Sequence, residues 1–149
     1  MEKQKLKAIY GLNERHLKRF LKIASKRVGN TGTALLQICE SLLSNVVYRL
    51  GFAPTRKAAA QLVSHRHILV NGKIVNIPTY MVKPNSVIEV REGSRNIPMV
   101  VDSISQLPQN CPWPGVNRKK FKGIYLRHPE KEEIPEEINI NLVLEFFTK

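Results

Sequence analysis

The apolar and polar positions of the first half of the chain recur at helical spacing. Residues 2–10 are mostly charged with scattered apolar positions, and they end at Gly11, which predicts a short helix or an arm. Asn13 is a helix-capping residue type, and the segment NERHLKRFLKIASKR predicts a second helix to Arg27. Residues 33–50 are apolar over more than one face, which predicts one long buried helix that ends at Gly51.

Residues 55–77 predict a helix followed by a tight hairpin. Thr55 can cap the helix, and apolar residues then recur at helical spacing up to Val63. Asn71 and Gly72 suit a type I′ turn, because Asn tolerates the positive φ that both central residues need and Gly adopts it freely. Residues 68–70 and 73–75 are therefore expected to pair as antiparallel strands.

The remaining pattern predicts more strand than helix. Residues 87–91 alternate, with Ile88 and Val90 facing one way, and we expect them to complete a small sheet. Residues 92–118 are poorly periodic and rich in proline, so they predict a connection with a short helix near 99–107. Residues 123–126 predict a further strand, whereas the apolar end INLVLEFFTK fits a strand or a helix. The fold class predicted is α+β.

Positive charge is concentrated in the first two thirds of the chain. The net charge is +12, and residues 1–95 hold 17 basic and 5 acidic side chains, whereas residues 96–149 hold 7 of each. A basic excess confined to one part of a folded chain is typical of proteins that bind a phosphate backbone. Membrane binding would call for an amphipathic helix with an aromatic and leucine face, so we expect no membrane partner.

The helix predicted from Asn13 has an apolar stripe and a cationic stripe on opposite faces. The apolar stripe is formed by Leu17, Leu21, Ala24 and Val28. The cationic stripe, displaced by two residues and so turned to the other side of the helix, is formed by Arg15, Arg19, Lys22 and Lys26. A solvated surface is the alternative interpretation, but such surfaces usually mix charges of both signs.

Enzymatic and metal-binding sites find little support. The chain has no nucleophile elbow and no glycine-rich phosphate loop, and Cys39 and Cys111 form no C-x-x-C motif, so we expect neither catalysis nor a disulfide framework. His65 and His67 would point about 200° apart on a helix, which disfavours a shared metal ion. We therefore expect no cofactor and no bound metal.

The residues of the hairpin region carry a resemblance to a known family. The segment GFAPTRKAAAQLVSHRHILVNGKIVNIPTYMVKPNSVIEVRE resembles the S-four RNA-binding module, in the version found in the family of small-subunit ribosomal protein four. The preceding helices and the ending from Lys120 through GIYLRHPEKEEIPEEINI resemble the rest of that family. The resemblance implies a helical domain of residues 1–38 and 96–149, with an inserted S-four module of residues 39–95, in which two helices pack on a small antiparallel sheet.

The same resemblance implies a function in the ribosome. We expect a structural constituent of the small ribosomal subunit that binds its ribosomal RNA, nucleates assembly and contributes to translational accuracy. The implied partners are that RNA, neighbouring proteins including ribosomal protein five, and the path by which mRNA enters the ribosome. The location is the cytoplasmic ribosome, with an organellar ribosome left open. The alternatives are an RNA-modifying enzyme with an S-four module and an RNA-binding chaperone.

The residues expected to bind RNA combine the cationic stripe with the polar residues of the module. They are Arg15, Lys18, Arg19, Lys22, Lys26, Arg27, Asn30, Arg49, Thr55, Arg56, Lys57, Gln61, Ser64, His65, Arg66, His67, Asn71, Lys73, Lys83, Arg118, Lys119 and Lys120.

Family members usually begin several tens of residues earlier, with a basic segment that in some carries a cysteine zinc site. Met1 stands where that segment would end, so we expect no zinc role and a lower RNA affinity. Whether the product is short, or the segment is encoded elsewhere or missing from this sequence, stays open.

Overall fold

The computed structural model describes residues 2–106, 114–117 and 121–125. The helices within these residues are α1 (Glu2–Tyr10), α2 (Glu14–Ser25), α3 (Thr31–Ser41), α4 (Leu43–Arg49), α5 (Arg56–Ser64) and α6 (Pro98–Ser105). The strands are β1 (Ile68–Val70), β2 (Lys73–Ile74), β3 (Ser86–Val90), β4 (Pro114–Asn117) and β5 (Lys122–Tyr125). Helices and an antiparallel sheet in one chain confirm the predicted α+β class.

The chain divides into two compact units. The described part of the first unit ends at Glu40 and contains α1, α2 and nearly all of α3, and the second unit begins at Ser41. The second unit includes α6, β4 and β5, and so extends past residue 95. The division at residues 38/39 and 95/96 stays a prediction.

The first unit is built on apolar stripes of three helices. Asn13 caps α2, as predicted: its Oδ1 accepts a hydrogen bond from the backbone N–H of His16 at 2.8 Å. The prediction for Val28 was wrong, because α2 ends at Ser25 and Val28 is fully exposed. The buried apolar residues are Leu6, Tyr10, Leu12, Leu17, Phe20, Ala24, Ala34, Leu35, Leu36, Ile38 and Cys39.

The single long helix predicted for residues 33–50 was wrong, because Leu42 interrupts it. Leu42 has extended backbone angles (φ −63°, ψ 137°) and forms an isolated β-bridge with Met81. Two backbone hydrogen bonds accompany the bridge, from Val82 N–H to the Ser41 carbonyl and from Leu43 N–H to the Tyr80 carbonyl, both 2.8 Å. These bonds satisfy two backbone N–H groups and two carbonyl groups at the break between α3 and α4.

The hairpin after α5 forms as predicted. Asn71 (φ 51°) and Gly72 (φ 81°) occupy the turn, and Leu69 pairs with Ile74 across it. The Oδ1 of Asn71 also accepts a hydrogen bond from the N–H of Val87 at 2.8 Å, which ties the turn to β3.

The sheet is larger than the predicted one. Its order is β2-β1-β3-β5-β4, and every neighbouring pair is antiparallel. The expectation that residues 87–91 complete the sheet was therefore wrong, since β5 pairs with β3 on the far side and β4 pairs with β5. Within the described residues, the strand predicted at 123–126 is confirmed as β5 and the short helix predicted near 99–107 as α6.

The core of the second unit lies where α4, α5 and α6 cover the sheet. Buried residues from the helices and strands form one cluster, which includes Leu50, Leu62, Ile68, Ile88 and Tyr125. Strands β1 and β3 contribute alternate residues to this cluster, as their buried positions show. None of the helices within the described residues is long and apolar enough to cross a membrane.

Candidate nucleic-acid interface

Helix α2 presents a cationic face to solvent. Leu17, Phe20 and Ala24 are buried on one side of the helix. The side chains on the opposite side are exposed, and they are Arg15, Lys18, Arg19, Lys22 and Lys26. Glu14, the one acidic residue of α2, lies 3.9 Å from the Nζ of Lys7 on α1, so its charge is directed to a neighbouring helix. We call these five residues the α2 basic face.

The residues that follow α2 are less uniform. Arg27 is half-buried, whereas Asn30 is exposed. The Oδ1 of Asn30 accepts a hydrogen bond from the N–H of Thr33 at 3.0 Å, so Asn30 caps the first turn of α3. Its predicted RNA contact would have to come from the rest of its side chain.

In the second unit, a long run of sequence contains basic residues but no acidic ones. Residues 41–88 contain no Asp or Glu, whereas they contain Arg49, Arg56, Lys57, Arg66, Lys73 and Lys83. The next acid, Glu89, lies 3.3 Å from Arg95 and 3.6 Å from Lys122. The acid-free run is therefore not neutralised by carboxylates from its own sequence.

Helix α5 carries polar predicted residues on its exposed face. Ala59, Leu62 and Val63 are buried, and the exposed residues at helical spacing are Lys57, Gln61, Ser64 and His65. Thr55 caps the helix, since its Oγ1 accepts from the N–H of Ala58 at 3.0 Å. Lys73 and Lys83 are exposed on β2 and in the loop before β3. We call these exposed residues of α5, together with the two lysines, the module basic face. They are Lys57, Gln61, Ser64, His65, Lys73 and Lys83.

Arg66 adopts a backbone conformation that is unusual for its residue type. It has φ 66° and follows the last turn of α5, where a Schellman motif joins Arg66 N–H to the Val63 carbonyl and His67 N–H to the Leu62 carbonyl. Glycine is the usual residue at this position. The exposed Arg66 side chain is thus presented from a hydrogen-bonded turn at some cost in backbone strain.

His67 is partly used by the fold. Its Nδ1 lies 2.7 Å from the Oγ of Ser94, and its carbonyl accepts from the N–H of Arg91. Burial lowers the pKa of His67 below 6.5, and the nearby charges of Arg91 and His65 lower it further. His67 is therefore biased towards the neutral form, and the exposed Arg91 beside it was not among the predicted residues.

Arg49 and Arg56 share one aromatic ring. The Cζ of Arg56 lies 4.7 Å from the centroid of the Tyr48 ring, and the Cζ of Arg49 lies 5.6 Å from it. The Nε–H of Arg56 also donates to the Oδ1 of the buried Asn45 at 2.8 Å. Sequence reasoning did not find Tyr48, because the contact joins the end of α4 to the start of α5 across a loop.

Several predicted features have no structural description or no ligand geometry. Arg118, Lys119 and Lys120 lie outside the described residues, as does Cys111. The ring centroids of His65 and His67 are 6.4 Å apart, edge to face. No group of three or more potential ligands for a metal ion occurs among residues 2–106, 114–117 and 121–125.

The thiol of Cys39 is fully buried, and burial raises its pKa, which keeps it protonated.

Comparisons with known proteins match both units. A family model described as "S4 domain" matches residues 43–88, and one described as "Ribosomal protein S4/S9 N-terminal domain" matches residues 1–40. The chain is 49% identical to small ribosomal subunit protein uS4 of Aquifex aeolicus, over 100% of this chain and 73% of that protein. It is 46% identical to uS4 of Christiangramia forsetii (100% and 74%) and 46% identical to uS4 of Mycoplasma mobile (100% and 73%). The chain belongs to the family of small ribosomal subunit protein uS4.

Proposed function

We propose that this protein is a structural constituent of the small ribosomal subunit that binds the ribosomal RNA directly. Its relatives carry the name of a small-subunit ribosomal protein at 44–49% identity over nearly the whole chain. That name describes a component of a particle and not an enzyme, which favours this function over an RNA-modifying enzyme or a free chaperone.

The observation that carries the proposal is the pairing of buried apolar stripes with exposed cationic faces in both units. The α2 basic face holds five exposed cations opposite Leu17, Phe20 and Ala24. The module basic face lies in a run of 48 residues, 41–88, without a carboxylate. Such faces attract a polyanion, because each neutralised phosphate releases condensed counterions.

Recognition of folded RNA by these faces depends on backbone and shape. A-form helices hide their base edges in a deep, narrow groove, so side chains meet phosphates and 2′-hydroxyls instead. Lysines and arginines supply the phosphate contacts, and Gln61, Ser64 and His65 can donate to or accept from 2′-hydroxyls. The predicted contacts of Arg27, Arg49, Arg56, Arg66, His67 and Asn71 belong to the same proposal.

The finer assignments rest on family resemblance. They are early nucleation of subunit assembly, an effect on translational accuracy through ribosomal protein five, and a position near the path by which mRNA enters. The location proposed is the ribosome.

A salt titration with matched variants tests direct RNA binding. If about six phosphates are engaged, affinity for a transcript of small-subunit ribosomal RNA should fall roughly a thousandfold between 50 and 200 mM salt. Lys22→Gln should reduce the slope of log affinity against log salt by about 0.7 to 0.9. Lys5→Gln removes the same charge from an exposed position of α1 outside the basic face, so its slope should match that of the unaltered protein. Equal slopes for both variants, or a flat titration, would contradict the proposal.

A further inference from the structure

The contacts at the junction of α4 and α5 give Tyr48 a role beyond packing. Tyr48 is half-buried and packs against the core cluster of the second unit. Two guanidinium groups lie within the range of a cation–π interaction with its ring, at 4.7 Å for Arg56 and 5.6 Å for Arg49. The ring is therefore anchored on one side by the core and occupied by two cations.

The ring of Tyr48 and the side chain of Asn45 both orient Arg56. The ring of Tyr48 sets the position of its guanidinium, and the Oδ1 of Asn45 holds its Nε–H at 2.8 Å. Asn45 is buried, so the surrounding protein holds this acceptor in place. Arg49, the last residue of α4, shares the ring but not this hydrogen bond.

An arginine that is already ordered loses less side-chain freedom when it binds a ligand. The ring of Tyr48 orders Arg49 and Arg56 before RNA binds, and this raises affinity for a phosphate backbone without adding a contact.

We propose that Tyr48 is a positioning residue that orders the guanidinium groups of Arg49 and Arg56 as a pair for the phosphates of the bound RNA. Tyr48 itself need not touch the RNA. This inference rests on the proposed RNA-binding function.

Two substitutions at Tyr48 separate ring positioning from packing. Tyr48→Phe retains the ring face, so the affinity of the full chain for the ribosomal RNA transcript should stay within about twofold of the unaltered protein. Tyr48→Leu keeps an apolar side chain but removes the ring, so affinity should fall about three- to tenfold and the salt slope should decrease by about one. Tyr80→Leu makes the same exchange at an exposed tyrosine of the same unit, and it should leave the salt slope unchanged.

A substitution at Arg49 keeps the test decisive if Tyr48→Leu fails to fold. Arg49→Lys leaves the core intact and preserves the charge, but an ammonium lacks the planar group that stacks on the ring. Positioning by Tyr48 predicts that Arg49→Lys loses nearly as much affinity as Arg49→Gln.

The inference is overturned if Arg49→Lys binds like the unaltered protein, if folded Tyr48→Leu retains full affinity and slope, or if Tyr48→Phe loses as much as Tyr48→Leu. Failure of the unaltered chain to bind the transcript would instead overturn the proposed function, and this inference with it.

Discussion

Gly123, in the middle of β5, gives a test of how the sheet supports the helices of the second unit. It pairs with Ile88 of β3 on one side and with Val116 of β4 on the other, and it is buried. A Cβ atom added there would lie 2.9 Å from Cδ1 of Leu50 and 3.0 Å from its Cγ, and closer still to Cδ2. Leu50 is fully buried, so its side chain has little room to move away.

Gly123→Ala should therefore destabilise the protein by overpacking. Forcing an extra methyl group into a packed core costs about 1–3 kcal/mol. In a chain of this size, a loss of about 2 kcal/mol lowers Tm by roughly 4–8 °C. Urea denaturation followed by circular dichroism measures the free energy of unfolding. The slope with denaturant should stay unchanged, because unfolding exposes nearly the same surface area in the variant as in the unaltered protein.

Leu50, whose side chain the added Cβ would overlap, supplies the decisive comparison. Leu50→Ala alone should cost about 2–5 kcal/mol, because it leaves a cavity beside Gly123. In the double variant the new methyl group fills part of that cavity, so the loss should be smaller than the sum of the two single losses by about 1 kcal/mol or more. Gly93→Ala is the matched control: nothing lies within 4 Å of its added Cβ, so its stability should change by less than about 0.5 kcal/mol. Additive losses at Gly123 and Leu50 would refute the proposed contact.

Three further predictions concern the cap of α2, the buried pair of Tyr10 and Glu40, and the dependence of stability on pH. Asn13→Ala should lower the free energy of unfolding by about 1 kcal/mol, because the N–H of His16 loses its acceptor. Tyr10→Phe should lower it by about 1–3 kcal/mol, because the hydroxyl that donates to the buried carboxylate of Glu40 at 2.5 Å is removed. The lowered pKa of His67 means that the unfolded chain binds a proton more readily than the folded one, so stability should fall as the pH drops below about 6.5.

Denaturation at several pH values checks all three, with a control for each. Asn13→Asp retains a capping oxygen and should keep most of the stability, so an equal loss with Ala and Asp would contradict the capping role. Tyr10→Phe without measurable loss would contradict the hydrogen bond. His67→Gln should reduce the slope of stability against pH between pH 6.5 and 5, and an unchanged slope would exclude His67 as a contributor.

Local chemistry made the hairpin and the helix starts predictable from the sequence. Asn71 and Gly72 adopt the positive φ angles that a type I′ turn requires, and Asn13 and Thr55 cap their helices with side-chain oxygens. These features depend on residues close in sequence, so their signals are present in short segments.

The features that sequence did not predict depend on contacts between distant residues. The break at Leu42 carries no Gly or Pro signal, and it arises from hydrogen bonds to the segment around Met81. The addition of β4 and β5 to the sheet depends on pairing with β3. Both are tertiary effects that override a local helical or irregular pattern.

In the candidate site, too, some features follow from local sequence and others depend on contacts between distant residues. The exposed face of α2 follows from the apolar and cationic stripes, except that Val28 lies beyond the helix end. The sharing of Tyr48 by two arginines follows from the crossing of α4 and α5 and could not be read from spacing along one helix. The predicted RNA contacts of all these residues stay predictions.

The stoichiometry of the protein on purified small subunits tests the structural role most directly. Subunits separated by sedimentation, and washed at a salt concentration that removes loosely bound factors, should retain one copy of this chain per copy of small-subunit ribosomal RNA, measured by quantitative mass spectrometry. A structural constituent is present on every particle. Substoichiometric recovery, or recovery mainly with tRNA or mRNA away from the subunit, would contradict the proposed function.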